Sequence, residues 1–217
     1  MVANPNSLPS PQTIRLPIPT GACNVSITTA LEQRRTCRTI RAKPLSRQLL
    51  ADLLWAACGV NRPAGPFGRP GRTAASASNS HEIDVYVATR DGIYRYDALA
   101  QELVQVASGD LRGYAMTPGQ HSANPDMPAH LIYVVDIDRL THSNGFREPG
   151  LQDPETQKSY YYVGVGMIAA NVYLYCAAVG LAAWFHNCDR DALTLRLGLR
   201  QEQRVLFAQS VGYQEKI

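Results

Sequence analysis

The sequence predicts an α+β domain, and three observations carry that expectation. Between Ser46 and Gly59, Leu49, Leu50, Leu53, Leu54 and Ala57 recur at helical spacing, with a serine to cap the helix and a glycine to stop it. Ile83, Val85 and Val87 alternate with more polar neighbours until Asp91-Gly92 turns the chain back into Ile93-Tyr94-Arg95-Tyr96, which is an antiparallel hairpin signal. Residues 130–137 and 205–211 are short apolar runs of the length of buried strands. At 217 residues, 45% hydrophobic and 18% charged, the chain is long enough for one domain with a substantial core.

Taken in order, the first 25 residues contain Pro5, Pro9, Pro11, Pro17 and Pro19 and no apolar stretch. They read as an extended arm and not as a signal peptide, leaving a single domain over residues 26–217. Thr28 or Thr29 can cap a short helix through Arg35. The helix capped by Ser46 comes next, followed by a Pro/Gly/Arg-rich loop over 61–72. Leu103-Val104-Gln105-Val106 adds a third strand beside the hairpin. Residues 112–128 and 141–157 are polar and rich in turn formers, and loops of that length are often lids; Tyr114 and Met116 are the expected lid residues. Asp189 caps a last helix with Leu193 and Leu197 inward and Gly198 at its end.

The net charge of +3 is too small to imply a nucleic-acid partner by itself. Five cysteines, Cys23, Cys37, Cys58, Cys176 and Cys188, are odd in number and lack CxxC spacing, which supports neither a disulfide framework nor a zinc site. His121, His130, His142 and His186 show no metal-ligand spacing, so no metal is expected. The cytoplasm is the simpler compartment, the periplasm requiring a signal peptide that has been removed. Residues 159–188 contain no Asp, Glu, Lys or Arg. A membrane span needs about 20 predominantly apolar residues and is one reading of that stretch. The other is a buried or subunit-interface helix, favoured by Gly164, Gly166, Asn171 and Gly180.

Two segments carry the chemistry. Arg34-Arg35-Thr36-Cys37-Arg38 opens a basic run, with Arg41, Lys43 and Arg47 and no acid as far as residue 47. Guanidinium groups beside a hydroxyl suit a phosphate monoester, because arginine offers a planar fork of donors and keeps its charge. A solvated helix face is the plainer account of such a run. The second segment, residues 72–82, is a run of small residues ending in Asn79-Ser80-His81-Glu82 that lets backbone come close to a flat ligand.

These segments, in order with Pro44-Leu45-Ser46, residues 53–62, Asn171 to Leu181 and Ala208 to Tyr213, resemble the FMN-dependent nitroreductase family, in particular its branch of thiazoline/oxazoline dehydrogenase-like proteins. The resemblance implies a central mixed or antiparallel sheet flanked by helices, with the uncharged helix buried at the interface of a homodimer. It places Arg34, Arg35 and Thr36 at the FMN phosphate and ribityl chain, and Arg38 at the pyrimidine side of the ring. Ser76, Ala77 and Asn79 map to ring and ribityl contacts, and His81 stands where glutamine is usual. A titratable donor there is a candidate proton source with an ordinary value of about 6.5; its plainer account is a histidine satisfied by backbone. The loop after Gly180 brings the backbone of His186 and Asn187 to the flavin edge, Asn187 standing for a family glycine and tolerating a left-handed conformation. Lys216 is the available counterpart of the last phosphate ligand. Ala75, Glu82 and Gln214 stand where the family favours proline.

The resemblance implies an oxidoreductase with FMN as cofactor and NAD(P)H as electron donor, passing hydride to the flavin and then to a nitroaromatic, quinone or related small-molecule acceptor by ping-pong. No membrane and no nucleic acid are expected as partners. Three alternatives stay open: an azoline dehydrogenase acting on a modified peptide, a flavin-binding protein without turnover, and a basic nucleic-acid-binding module. No catalytic side chain is assigned beyond the candidate His81.

Overall fold

The protein is described by a computed structural model over residues 12–21 and 23–215. A short strand β1 (Thr13–Arg15) leads through residues 16–25 to helix α1 (Ile27–Gln33). The cap of α1 is Ser26, whose side chain accepts from Thr29 N at 3.1 Å; the cap therefore lies before the Thr28 or Thr29 expected for it, and the helix ends at Gln33 and not at Arg35. Helix α2 (Arg47–Cys58) starts at Ser46, which accepts from Leu49 N, and stops at Gly59, as the sequence predicts. Within the expected loop 61–72, β2 (Val60–Arg62) and β3 (Gly71–Arg72) form a two-stranded hairpin of their own.

The predicted hairpin is β4 (Ile83–Thr89) and β5 (Gly92–Asp97), extended by β6 (Glu102–Ser108). A short helix α3 (Pro118–Ala123) precedes β7 (Ala129–Asp136), and the Asp136 side chain then caps α4 (Ile137–Thr141). The long α5 (Pro154–Val179) ends at Gly180, whose φ of 73° supplies the left-handed turn that glycine takes without steric cost. Strand β8 (Leu181–His186), helix α6 (Arg190–Arg196), capped by Asp189, and β9 (Gln203–Tyr213) complete the domain.

Seven strands form one sheet in the order β1-β6-β5-β4-β7-β9-β8, and every pairing is antiparallel. Thr13–Arg15 of the arm is thus an edge strand on β6. Strand β7 is buried along its whole length because both faces of the sheet are covered. Its Leu131, Tyr133 and Val135 enter the core with α2 and α5, while Ile132 and Val134 enter a second core with Leu193 of α6. Residues 112–128 pack on that second side, where Met116 is fully buried with Met127 and Trp184. Met116 is core and not lid.

One further expectation is corrected. Residues 181–186 are a strand and not a loop, since Leu181 to His186 pair residue by residue with Tyr213 to Ala208. The uncharged helix is buried along one stripe only. Tyr161, Gly164, Val165, Ile168, Ala169, Val172 and Cys176 recur at i, i+3, i+4 and face the sheet, whereas Val163 is 55% and Met167 43% exposed on the opposite face. By length and composition α5 could also cross a membrane.

Candidate functional site

The basic segment begins where α1 ends. Arg34 leaves the helical conformation at ψ 121°, and the chain passes the outer edge of β8, where Cys37 N donates to Ala183 O at 2.9 Å, and reaches the end of β9, where Arg41 N donates to Tyr213 O at 2.9 Å. Its side chains straddle that edge. The Arg34 guanidinium stands 5.7 Å from the Tyr173 ring on α5, and that of Arg38 stands 5.4 Å from the Trp184 ring on the opposite side of β8. Such seats are worth about 0.5–1 kcal/mol when exposed and leave the charge unneutralised. Thr36 Oγ1 lies 3.1 Å from the Tyr173 hydroxyl, which also accepts from Phe185 N at 2.8 Å. Arg34, Arg35, Thr36 and Arg38 are all exposed, and none of the three arginines makes an ion pair among the described residues. Arg35, Gln33, Tyr173, Gly180, Leu181 and Gln214 line a cavity of about 110 Å³.

The second segment is closed on itself. Ser78, Asn79 and His81 all take positive φ, at 49°, 52° and 53°. The Asn79 amide nitrogen makes this affordable by donating to the carbonyls of Pro66, Arg69 and Pro70 at 3.0, 3.1 and 3.3 Å. Its oxygen lies 2.8 Å from His81 Nε2, His81 N donates to Ser76 Oγ at 3.1 Å, and Arg69 donates to the Ser80 carbonyl. Ala77 packs against the main core. Burial, with Arg72, Arg69 and Arg139 nearby, pushes the His81 imidazole down to about 4. This corrects the expectation of a proton source titrating near neutrality, because a half-buried ring among three guanidinium groups is held neutral. Glu82 is wholly buried: Ser80 Oγ donates to one carboxyl oxygen at 2.6 Å, the other has no partner, and burial raises the carboxyl above its ordinary range. Gly164 of α5 lets that oxygen approach, since a Cβ there would stand 2.8 Å from it.

A third group closes the far end of β8. His186 is buried, with Nε2 2.7 Å from Ser210 Oγ and Nδ1 2.7 Å from the Asn187 carbonyl. Asn187 is exposed and accepts from Arg190 through Oδ1 at 2.8 Å. Its φ is not positive, so the left-handed conformation expected there is absent; among the described non-glycine residues the positive values fall at Phe67, Ser78, Asn79, His81 and Gln101. The Lys216 assignment lies outside the described residues.

The fold therefore brings Arg34, Arg35, Thr36 and Arg38 to the β8 edge, with His186 and Asn187 at the end of the same strand, and holds Ser76, Ala77, Asn79 and His81 elsewhere. The His81 cavity is lined by Gly164 and Ile168 of α5, the Arg35 cavity by Tyr173, Cys176 and Ala177. From Gly164 to Cys176 is about 18 Å along the helix at 1.5 Å per residue. The sequence did not point to Tyr173 and Trp184 as the seats of Arg34 and Arg38. Among the described residues no cluster of His, Cys, Asp or Glu could hold a metal ion.

The family model for the Nitroreductase family matches residues 31–213, a span that takes in every one of these groups. The chain belongs to the Nitroreductase family. It is accordingly an oxidoreductase, in a family typically dependent on flavin. A nitroreductase homologue from Methanocaldococcus jannaschii is 26% identical over 184 residues, 79% of this chain and 86% of its own. The crystal structure of a nitroreductase homologue from Ralstonia eutropha superposes with a TM-score of 0.79 at 29% identity, over 97% of this chain and 96% of its own. An NADPH:FMN oxidoreductase from Vibrio harveyi, solved in complex with NAD+, shares the fold at TM-score 0.58 and 18% identity, over 88% of this chain and 69% of its own.

Proposed function

We propose that this nitroreductase-family protein is an FMN-dependent oxidoreductase, reduced by NAD(P)H and reoxidised by a nitroaromatic, a quinone or a related electrophile, working as a cytoplasmic homodimer without a membrane or nucleic-acid partner. The observation that carries the reading is the set of exposed guanidinium groups of Arg34, Arg35 and Arg38 beside the edge strand β8, none with an ion-pair partner among the described residues. Such donors suit the phosphate end of FMN. Bound there, FMN supplies the hydride chemistry, and the chain binds and polarises it. Arg34, Arg35 and Thr36 hold the phosphate and ribityl end. Arg38 sets a positive charge at the pyrimidine edge, where it favours negative charge on the ring.

The cavity beside Arg35 is about 110 Å³, whereas sites for drug-sized ligands run to roughly 300–1,000 Å³. One chain thus encloses a phosphate-sized group and leaves a ring uncovered. A second copy supplies the cover in this proposal: the exposed apolar face of α5, with Val163 and Met167, continues to Ile27 and Leu31 of α1. Two-fold pairing through that face would let Ser76, Ala77, Asn79 and His81 of one protomer complete the site of the other.

A second reading, a flavin-binding protein without turnover, is favoured by one observation: the Asn79 amide is taken up by carbonyls of the loop between β2 and β3, and the His81 ring by Asn79. The absorption spectrum of the purified protein tests for flavin, and a colourless protein that does not take up FMN overturns both readings. Stopped-flow mixing with NADH or NADPH separates them, since only the reductase bleaches within the turnover time.

A further inference from the structure

Three strands meet at a buried polar chain that the reading above leaves unused. His130 of β7 stands opposite Ser210 of β9, and Trp184 of β8 stands opposite the same Ser210 from the other side. This register points His130 Nδ1 at Ser210 Oγ at 2.9 Å and His186 Nε2 at the same oxygen at 2.7 Å, the two rings meeting edge to face at 6.1 Å. His130 is 1%, Ser210 0% and His186 6% exposed, and the Trp184 ring covers His186 at 4.7 Å.

The hydrogens follow from counting. A carbonyl only accepts, so His186 Nδ1, 2.7 Å from Asn187 O, carries a hydrogen. Burial keeps both rings neutral, pushing His130 down to about 3 and lowering His186. His186 Nε2 is then an acceptor and takes the Ser210 hydroxyl hydrogen. With that hydrogen spent, Ser210 Oγ accepts from His130 Nδ1–H. The chain has one direction, from His130 through Ser210 and His186 to the carbonyl of Asn187, and one tautomer satisfies it at each ring.

We propose that His186 is a positioning residue: held through Ser210 by His130, it fixes the Asn187 peptide and with it the main-chain turn that leaves β8 toward the flavin edge. The proposal rests on the flavin reading for the consequence of that placement, and on this chain's own geometry for the placement itself. An ordinary side chain at 186 would pack beside Trp184 and leave the Asn187 carbonyl free to rotate. The histidine ties that carbonyl to two neighbouring strands.

The test uses uniformly ¹⁵N-labelled holoprotein and two variants, Ser210→Ala, which removes the central hydroxyl, and His186→Phe, which keeps ring bulk without the Nδ1 hydrogen. Imidazole ¹⁵N shifts at pH 7 should report the Nδ1–H tautomer for both His130 and His186. In each variant amide exchange at Asp189, whose N–H donates to Tyr114 O at 3.1 Å just after the turn, should quicken at least tenfold and FMN should bind about tenfold more weakly, with exchange across β4 and β5 unchanged to show that the fold persists. A wild-type His186 in the Nε2–H form, or exchange at Asp189 within twofold of wild type in both variants, overturns the proposal. So does quickened exchange with unchanged FMN affinity. If the wild-type protein takes up no FMN, the flavin reading fails, while the tautomers and exchange still decide whether His186 holds the turn.

Discussion

The two polar segments of this chain end in opposite states. Residues 34–38 leave their charges open, with three guanidinium groups exposed, those of Arg34 and Arg38 seated on rings, and none paired with an acid among the described residues. Residues 72–82 turn inward, where the Asn79 amide meets three carbonyls of the loop between β2 and β3 and His81 meets Asn79. Unspent donors mark where a ligand gains from arriving, because the protein has not already satisfied them. Spent donors mark where the backbone is being held in shape. The first segment therefore reads as the binding part of the site and the second as a preformed wall.

The largest effect should come from closing the open segment. The double variant Arg34→Ala, Arg35→Ala removes two charge-assisted partners of the phosphate, costing about 1.5–3 kcal/mol each, so FMN should be lost on gel filtration while the melting temperature of the flavin-free protein stays put. Retention of flavin by the double variant would sink the assignment. Met167→Lys comes next and tests whether the exposed face of α5 is covered by a second copy. An unpaired ammonium in a subunit interface costs about 3–5 kcal/mol, so the sedimenting mass should fall from twice 23.8 kDa to 23.8 kDa. A wild-type protein that already sediments at the single mass while loaded with flavin would refute the dimer.

Breaking the closed segment should act on stability before it acts on binding. Asn79→Ala leaves three carbonyls without their amide donor and puts a Cβ-bearing residue without a compensating side chain at φ 52°. About 2–3 kcal/mol of unfolding free energy should go, seen as a lower urea midpoint at constant slope. An unchanged midpoint would mean that these bonds are not holding the turn.

The sequence was read correctly wherever one residue and its near neighbours decide the outcome. Ser46 and Gly59 bound α2, Asp91-Gly92 turns β4 into β5, and Asp189 starts α6 because caps and turns are local chemistry. Expectations failed where partners lie far along the chain. Whether residues 181–186 form a loop or a strand depends on β9, some 25 residues later, and a run that could cross the flavin as a loop pairs as an edge strand instead. The value for His81 failed because burial is decided by the whole fold: enclosure of the ring is the main cause of its lowering, with Arg72, Arg69 and then the sequence-distant Arg139 adding to it. Arg34 and Arg38 were named from the motif, but not that they sit on opposite sides of one strand, which needs the rings of Tyr173 and Trp184.

The smallest expected effect concerns His81 and sharpens the difference between wall and binding segment. Its folded value of about 4 lies below the ordinary 6.5. Above pH 6.5 the ring is neutral in both folded and unfolded chains, so it neither adds nor removes stability there. As pH falls from 6.5 towards 4 the unfolded chain takes up a proton that the folded chain refuses, so the ring destabilises the fold progressively in that window. His81→Gln should therefore leave unfolding at pH 8 almost unchanged, apart from the loss of the contact with Asn79, and should make the fold less sensitive to acid between pH 6.5 and 4. The rate of reoxidation by one quinone across pH 5 to 9 should overlay that of the parent. A rate transition near 6.5 that vanishes in the variant would show instead that His81 titrates freely at the site, and that the closed segment takes part in proton transfer.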